Sequence, residues 1–387
     1  MTDDVVVLGS GYAGTGAIKQ LESELDGEAD ITWVSDVDHH LVLHESHRCI
    51  RDPSIQEKIT FDVAEIKSPS TRFVQGRVEA VDCDDRSVAL EDGSTIAYDY
   101  LLVGIGSRTA FFGIDGLEEH SLTLKSLEDV LEIHDAVAEA AREASREDPA
   151  QIVVGGAGLS GIQSAGEIAE YRDEHRAPLE IHLVEGLDEV FPNNDATVQR
   201  KLRTLLKEKD VRIHTEEFIG EVDEETVYIG DEKELDYDVL LWTGGITGRE
   251  AAATAALDCH DRDDRIESGR DFRTSDGRVF AIGDAAFIDQ SGDRPAPPTA
   301  QAAWQAAEVA GENIARAIRG QPLTEWTYDD KGTLISVGEK AVAHDVKGLP
   351  VDTFGGPAAK ALKKTVAARW IRTVNGFADA AKAFPDM

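Results

Sequence analysis

Two glycine-rich turns are the parts of this chain whose residue types and spacing are best suited to chemistry. Each follows a short apolar run and precedes a helix-like segment in the pattern G-x-G-x-x-G, and the two turns lie 147 residues apart. Such a turn brings the pyrophosphate of a dinucleotide onto a helix N-terminus. A chain with two of them is most simply one that passes a hydride between two dinucleotides. The turns contain Gly9, Gly11, Tyr12, Ala13 and Gly14 in the first case, and Gly156, Gly158, Leu159, Ser160 and Gly161 in the second.

A carboxylate follows each turn at the spacing expected of a ribose ligand. Asp36 lies 22 residues past Gly14, and Glu185 lies 24 residues past Gly161, each at the end of a strand-like run. A carboxylate there can bind a ribose diol and repels a 2′-phosphate, so the second turn is expected to prefer NADH to NADPH. The alternative is a solvated acidic residue at a strand end, which is common for acidic residues in general.

A later strand-like run indicates which turn holds a flavin. Residues 279–282 are followed by Gly283 and Asp284, and a carboxylate at that place suits the ribityl hydroxyls of FAD. Beyond three prolines, Thr299 can N-cap a long helix that extends to about Arg319. The positive end of its dipole would stabilise negative charge on a reduced flavin. The alternative, an ordinary surface helix, explains the cap but not the Gly-Asp pair. We therefore expect non-covalent FAD at the first turn and NADH as the substrate at the second.

Segments along nearly the whole chain resemble the type II NADH:quinone oxidoreductases, a family of two-dinucleotide-binding flavoproteins. They are residues 98–103 with 106–109, 124–129, 242–245, 283–284, 298–301 with Ala303 and Gln305, and 331–338. Gln301 and Gln305 fit the A-Q-x-A-x-Q pattern of that family's quinone site.

This resemblance implies an FAD-dependent enzyme that transfers a hydride from NADH to the flavin and two electrons onward to a membrane quinone, without pumping protons. It implies that the quinone approaches past Gln301 and Gln305. It also implies further cofactor contacts within the matching segments, namely Gly106, Thr243, Gly244, Gly245, Gly283, Asp284, Thr299, Ala300 and Gln301.

One position departs from the family pattern at a place that matters for proton transfer. The family usually has Glu two residues after the last glycine of the NADH turn, whereas this chain has Gln163. An amide cannot relay a proton as a carboxylate can. We therefore expect Gln163 to act in catalysis by positioning the nicotinamide, and the proton route to the quinone stays open.

The length and the two turns predict an α/β fold with two Rossmann-like dinucleotide-binding domains. The FAD-binding domain would be discontinuous, formed by residues 1–112 and 247–321, and the NADH-binding domain would be inserted between them at residues 113–246. Residues 322–387 would form a short C-terminal segment associated with the membrane and the quinone.

The C-terminal stretch differs in charge from the rest of the chain. Residues 357–387 hold six basic residues and two acidic ones. Apolar residues recur there at helical spacing and predict one face of a basic amphipathic helix, formed by Leu362, Val366, Trp370, Val374 and Phe377. Such a helix can lie on anionic lipid, and the alternative is a helix docked on its own core or on a second subunit of a homodimer. Because the chain has neither a signal peptide nor an apolar run of about 18 residues, we expect a cytoplasmic protein, peripheral on the inner face of the cell membrane.

The composition predicts an unusual solvent and excludes one class of partner. The 387 residues include 75 Asp and Glu against 39 Lys and Arg, a net charge of -36 at pH 7. This excess is dispersed along the chain, which favours a halophilic cytoplasm at molar salt, where self-repulsion is screened. An acidic surface for a basic partner would instead predict clustering. Nucleic-acid binding is excluded because the phosphates would be repelled.

Cysteine and histidine residues indicate neither a disulfide relay nor a metal site. Cys49, Cys83 and Cys259 form no C-x-x-C pair, so a dithiol relay between flavin and substrate is not expected. A single-cysteine NADH oxidase or CoA-disulfide reductase would need Cys49 at the flavin. The histidines of residues 39–47 lack metal-ligand spacing, so we expect loop residues near the flavin or in solvent.

Two competing functions stay open on the sequence. A soluble NADH-dependent reductase of a small acceptor, or of a carrier protein such as ferredoxin, would need neither the two glutamines nor a lipid-facing C-terminus. A non-enzymatic NADH-sensing flavoprotein would turn over slowly with every acceptor.

Overall fold

The apolar runs that precede the glycine-rich turns form buried parallel strands, as their composition predicts. The computed structural model describes residues 2–230, 233–290 and 294–384. In chain order, the strands of these residues are β1 (Asp3–Leu8), β2 (Ala29–Ser35), β3 (His39–Leu41), β4 (Thr60–Asp62), β5 (Arg72–Gln75), β6 (Val78–Asp82), β7 (Ser87–Leu90), β8 (Thr95–Ala97), β9 (Tyr100–Val103), β10 (Arg108–Thr109), β11 (Ala150–Gly155), β12 (Leu179–Glu185), β13 (Val211–Thr215), β14 (Ile219–Val222), β15 (Thr226–Ile229), β16 (Lys233–Asp236), β17 (Val239–Trp242), β18 (Ile246–Thr247), β19 (Ile266–Ser268), β20 (Val279–Ala281), β21 (Ala286–Ile288), β22 (Thr333–Val337), β23 (Lys340–His344) and β24 (Thr353–Gly355).

Long helices follow both turns, and shorter helical segments connect the strands. In chain order they are α1 (Tyr12–Leu25), α2 (Leu43–Ser46), α3 (Gln56–Ile59), α4 (Val63–Ile66), α5 (Leu117–His120), α6 (Leu127–Glu143), α7 (Leu159–His175), α8 (Ala196–Glu208), α9 (Glu250–Ala253), α10 (Ala300–Ile318), α11 (Pro357–Asn375) and α12 (Phe377–Ala383). The helix predicted after Thr299 is α10, and Thr299 is its N-cap, accepting a hydrogen bond from the backbone N of Ala302 at 3.3 Å.

The first parallel sheet joins strands from distant parts of the chain. Its order is β20-β9-β1-β2-β5, so the chain returns at β20 to pair with β9. Helix α10 packs along α1, and small residues let them approach, since a Cβ added to Gly16 would lie 2.7 Å from the Cβ of Ala307. A Cβ on Gly283 would lie 2.9 Å from that of Ala13. The turn after β20 therefore lies against the first glycine-rich turn.

The second parallel sheet carries the second glycine-rich turn. Its order is β13-β12-β11-β17, and the antiparallel strands β14, β15 and β16 form a separate sheet. Val153, Val184 and Trp242 of the parallel sheet pack with Ile219 and Val227 of that antiparallel sheet. The two parallel sheets, each with a turn and a helix behind its first strand, confirm the predicted α/β class. The exact domain boundaries stay a prediction.

A third layer, formed by β22, β23 and β24, lies against α7. The contact is close because a Cβ on Gly166 of α7 would lie only 2.5 Å from the backbone N of Gly338. Strand β22 therefore runs directly past the helix that follows the second turn.

The C-terminal helix α11 docks on the protein itself. Trp370 is fully buried, with its ring 4.8 Å from that of Tyr12 and 4.7 Å from that of Trp304. Its Nε1 donates a hydrogen bond to His40 Nε2 at 2.7 Å. Val374 is buried as well. Of the two alternatives for this helix, docking on the protein's own core is the one that applies to Trp370 and Val374. The helical periodicity identifies an apolar face but not the surface that covers it.

Part of the predicted face remains outside the core. Val366 is 40% exposed and Phe377 is 74% exposed, whereas Leu362 is half-buried. Gly376 lies between α11 and α12 with a φ of 96°, which interrupts the helical stretch. None of the helices in the described ranges is both long and apolar enough to cross a membrane.

Trp370→Ala is expected to lower the free energy of unfolding by about 3–5 kcal/mol, because it removes a buried aromatic ring and the donor to His40. Phe377→Ala is the control, since that ring is 74% exposed, and its loss should cost no more than about 0.5 kcal/mol. Denaturant unfolding at high salt measures both. Similar losses for the two variants would show that α11 is not docked in solution.

Candidate active site

A cavity of about 1240 Å³ is lined by residues of both glycine-rich turns. Pockets for single drug-sized ligands are typically about 300–1,000 Å³, so this cavity has room for a larger ligand such as a dinucleotide. The predicted site residues that line it are Gly9, Gly11, Tyr12, Ala13, Asp36, Gly106, Gly158, Leu159, Ser160, Gln163, Thr243, Asp284, Thr299 and Ala300.

The first turn has the shape of a phosphate cradle. A Cβ on Gly14 would lie 1.9 Å from the carbonyl oxygen of Gly9, and Gly9 itself has a φ of 98°. Gly11 is the N-cap of α1, no side chain caps that helix, and a Cβ there would meet nothing within 4 Å. The first amides of α1 therefore stay available to an anion in the cavity.

The second turn repeats this geometry at the N-terminus of α7. A Cβ on Gly161 would lie 1.9 Å from the carbonyl oxygen of Gly156, and Gly158 is an N-cap that no side chain covers. Thr243 Oγ1 donates hydrogen bonds to the carbonyl oxygens of Gly155 and Gly156 at 2.9 and 3.0 Å, which fixes the turn to the end of β17. Both turns thus fit the pyrophosphate of a dinucleotide.

Several predicted residues shape the site from behind rather than line the cavity. Gly14, Gly156, Gly161 and Gly283 are needed for the close approach of backbone or of a neighbouring side chain. A Cβ on Gly244 would collide with the Trp242 ring, and one on Gly245 with the Phe112 ring.

The two predicted ribose ligands differ in environment. Asp36 is exposed at the cavity, with Arg77 Nη2 4.0 Å from its carboxylate. Glu185 is buried, does not line the cavity, and accepts backbone hydrogen bonds from Ala157 at 2.8 Å and from Leu187 at 2.9 Å. Glu185 therefore stabilises the conformation of the second turn. A ribose bound there would have to share the carboxylate oxygens of Glu185 with the backbone amides of Ala157 and Leu187.

Asp284 and Lys125 both line the cavity and lie close enough to influence each other's charge. Burial raises the pKa of Asp284, and the nearby Lys125 ammonium opposes that rise. Burial likewise lowers the pKa of Lys125, whose Nζ donates to Ser107 Oγ at 3.2 Å. Sequence reasoning did not select Lys125, although it lies in the segment 124–129 that carries the resemblance.

Arg249 is a second cation that the sequence did not identify. It lines the cavity, and its buried Nε has no hydrogen-bond partner among the described residues. Burial lowers its pKa, while the charge of Asp36 raises it. An unsatisfied guanidinium nitrogen at a cavity that both glycine-rich turns line is suited to an anionic ligand. Arg249 follows Gly248 and belongs to none of the sequence motifs, so the sequence offered no reason to select it.

Of the four histidines of residues 39–47, His40 and His47 are buried, and His39 and His44 are partly buried. His40 Nδ1 lies 2.7 Å from the carbonyl oxygen of Ser10, and His44 Nδ1 is hydrogen-bonded to the Tyr12 hydroxyl. Burial lowers the pKa of both His40 and His44 to about 4, so both rings are neutral at pH 7. His47 lines the cavity, whereas Cys49 is buried and does not.

The three candidate glutamines are used differently. Gln163 lines the cavity, and its Nε2 lies 3.2 Å from His47 Nε2 and 3.2 Å from Ser336 Oγ. Gln301 binds the backbone of Lys331 and Gly332, at 2.7 and 3.3 Å.

Gln305 also binds a backbone beyond α10. It contacts the N and O of Asp329 at 3.1 and 2.9 Å. Neither Gln301 nor Gln305 lines the cavity. The two amides instead hold the chain before β22 against α10.

Gly11→Ala and Gly158→Ala form a matched pair, since both glycines are N-caps with φ of -73° and -74° and open space at the Cβ position. Each variant should fold, but its methyl group would obstruct a pyrophosphate. If the first turn binds FAD and the second NADH, Gly11→Ala lowers FAD affinity at least about tenfold, and Gly158→Ala raises KM for NADH by a similar factor while keeping its flavin. Flavin absorbance and steady-state kinetics measure the two effects. The opposite pattern would show that FAD binds at the second turn and NADH at the first.

Comparisons with known proteins agree with this geometry. Residues 3–307 match the pyridine nucleotide-disulphide oxidoreductase family. The chain is 27% identical over 399 residues to the type II NADH:quinone oxidoreductase of Staphylococcus aureus strain MSSA476, which covers 96% of each protein.

Two solved structures share the fold. NDH2 from Plasmodium falciparum in complex with NADH has a TM-score of 0.83 and 15% identity, and the match covers 100% of this chain and 98% of that one. Sulfide:quinone oxidoreductase from Aquifex aeolicus has a TM-score of 0.80 and 20% identity, covering 97% and 92%. These matches confirm the resemblance that the motifs predict and the expectation of an oxidoreductase enzyme. The chain belongs to the pyridine nucleotide-disulphide oxidoreductase family.

Proposed function

We propose that this protein is an FAD-dependent NADH:quinone oxidoreductase. The observation that carries the proposal is that both phosphate cradles open into one cavity. Two dinucleotides bound there would bring their reactive rings together, and that proximity is the main contribution of such a protein to catalysis. When bound, FAD would supply the redox chemistry, taking two electrons from NADH and passing them to a quinone.

On the FAD side, the chain would bind and orient a dinucleotide at four places. The amides after Gly11 would hold the pyrophosphate, and Asp36 would hold the ribose. Arg249 would offset the charge of the phosphates. Asp284 would hold the ribityl hydroxyls beside the N-terminus of α10, whose dipole stabilises negative charge. These residues belong to the proposed FAD-binding domain of residues 1–112 and 247–321.

On the NADH side, the amides after Gly158 would bind the pyrophosphate. Glu185 would discriminate against the 2′-phosphate of NADPH, because its carboxylate lies at the end of β12 with no arginine directly after it. Gln163, at the cavity wall, would position the nicotinamide. These residues belong to the proposed NADH-binding domain of residues 113–246.

The acceptor side of the proposal rests on α10 and on the C-terminal segment of residues 322–387. By fixing Asp329 and Lys331, Gln305 and Gln301 would shape the approach of the quinone as positioning residues. We further propose that the protein works at the inner face of the cell membrane at high salt and does not pump protons.

Three exposed apolar side chains near the C-terminus, Val366, Phe377 and Phe384, support membrane contact, and we call them the C-terminal apolar patch. The exposed residues Arg369 and Arg372 lie on the same helix as Val366. At molar salt the Debye length is only about 3 Å, so the patch rather than the charges would supply most of the binding.

Anaerobic stopped-flow tests the enzymatic proposal directly. NADH is expected to bleach the flavin, and a short-chain quinone to restore it, each with a rate constant of at least about 1 s⁻¹ in molar KCl. NADPH is the control and should bleach the flavin far more slowly. Fast bleaching with slow recovery by quinone would favour a soluble reductase of another acceptor, and no bleaching by NADH would refute the proposal.

Vesicle flotation tests the membrane contact without disturbing the docked helix. The double variant Val366→Ser, Phe377→Ser is expected to reduce binding to anionic vesicles at least about tenfold, because both apolar side chains would otherwise enter the bilayer interface. Phe218→Ser, which changes an aromatic residue that is 66% exposed in another part of the protein, is the matched control and should bind like the parent. Equal flotation of all three proteins would contradict the patch as the membrane contact.

A further inference from the structure

A second, smaller cavity lies next to the large one. Its volume is about 30 Å³, which is space for about two water molecules. Glu45, Glu167 and Ser336 line it from the inside, and Glu339 and Lys360 line it where their side chains are about half exposed. Water in this cavity would therefore connect buried carboxyl groups to the protein surface.

Three hydrogen-bonded side chains form the wall between the two cavities. Ser336 Oγ, on the small cavity, lies 3.1 Å from His47 Nε2 and 3.2 Å from Gln163 Nε2. His47 and Gln163 line the large cavity. The close approach of β22 to α7 at Gly166 brings Ser336 to this place.

This wall can pass a proton without holding a charge. Burial and the cations Lys363, Arg48 and Arg51 keep the pKa of His47 well below its usual value, so the ring is neutral. A neutral imidazole can take a proton on one ring nitrogen and release the proton of the other. The serine hydroxyl both donates and accepts hydrogen bonds. Gln163 can only donate its amide hydrogens to Ser336 and His47, which orients them.

Glu167 is the protonatable group on the far side of this wall. It lies four residues after Gln163 on α7 and is almost fully buried. Its Oε2 is 3.2 Å from Arg51 Nε but accepts no hydrogen bond from any described residue. Burial raises the pKa of Glu167 to about 7, although Arg51, Arg48 and Lys363 oppose the rise. The carboxyl can therefore be protonated near neutral pH.

The reaction needs one proton from solvent in each turnover. Reduction of a quinone to a quinol takes two electrons and two protons, whereas NADH provides two electrons and one proton as a hydride. The second quinol O–H bond must form with a proton that leaves a group of the protein, which then takes another from water.

We propose that this proton enters at Glu339 and Lys360 and passes through the small cavity, Glu167, Ser336 and His47 to the large cavity. Glu167 would thus replace the carboxylate that is absent at Gln163. The inference rests on the proposed NADH:quinone activity. Glu167, Ser336 and His47 are relay residues for that activity, and the quinone is the final acceptor of the proton.

The route predicts a pH dependence of the quinone step. Protonated Glu167 is the donor, so the rate constant of reoxidation falls as pH rises through about 7, while bleaching by NADH does not follow this profile. The charged groups that line the small cavity with Glu167 are Glu45, Arg48, Arg51, Glu339, Lys340, Lys360, Lys363 and Lys364. Because the cations among them favour the ionised form, molar salt should move the profile slightly upward.

Ser336→Ala and Ser164→Ala provide a matched test. Both remove the hydroxyl of a buried serine, but Ser164 Oγ has no hydrogen-bond partner within the part of the chain that the structure describes, and Ser164 does not line either cavity. In anaerobic stopped-flow, Ser336→Ala is expected to slow reoxidation by a short-chain quinone at least about tenfold and to enlarge the solvent deuterium isotope effect of that step. Ser336→Thr should restore the rate, and Ser164→Ala should leave it unchanged.

Glu167→Gln, with Glu174→Gln as its control, adds an independent test. Both carboxylates contact Arg51, but Glu174 is largely exposed. Glu167→Gln should slow the quinone step and abolish its pH dependence near 7, with bleaching by NADH unchanged. If Ser336→Ala and Glu167→Gln both reoxidise at the parental rate with the parental pH profile, the route is refuted. If the parent itself is not bleached by NADH or not reoxidised by quinone, the proposed function fails instead.

Discussion

The close contact inside each glycine-rich turn is the constraint on which the rest of the structure depends. A Cβ on Gly14 or on Gly161 would lie 1.9 Å from the carbonyl oxygen of the first glycine of its own turn, so neither turn can close with any other residue there. The closure fixes a buried strand and a helix N-terminus as one unit, in which the first helical amides face outward. Strand β20 and helix α10 pack against the first unit, helix α7 of the second unit packs against residues 47–50, and residues of both turns line the shared cavity.

Charge is distributed in a way that the net value of -36 does not reveal. The 39 Lys and Arg residues are outnumbered by 75 Asp and Glu, yet several of these cations lie inside the protein, with Lys125 and Arg249 on the large cavity and Arg51 and Lys363 on the small one. Lys363 Nζ lies 2.6 Å from the buried carboxylate of Glu45. Removal of either residue would leave the charge of the other buried and uncompensated. Internal cations would offset the phosphates of bound dinucleotides, while the dispersed surface acids interact mainly with solvent ions.

A structural feature could be predicted from the sequence when it depends on residues that are neighbours in the chain. The two turns and the Thr299 cap follow from backbone geometry or a local hydrogen bond, and the structure has both features. The surface that covers an apolar helix face can come from a distant part of the chain. The periodicity that identified Trp370 therefore could not show that it packs on Tyr12. Side-chain amides are equally ambiguous, since a motif cannot show that Gln301 binds a neighbouring backbone.

An amide at position 163 makes physical sense once Glu167 is taken into account. The two positions are one helical turn apart on the same buried face, and a second carboxylate there would raise the pKa values of both groups by mutual repulsion. An ionised carboxylate could also donate no hydrogen bond to His47 or Ser336, whereas the Gln163 amide can donate to both. The amide therefore leaves the wall between the cavities neutral and ordered. The acidic group then lies one step further from the large cavity, where water in the small cavity can reach it and where the charge of Arg51 limits the cost of its ionisation.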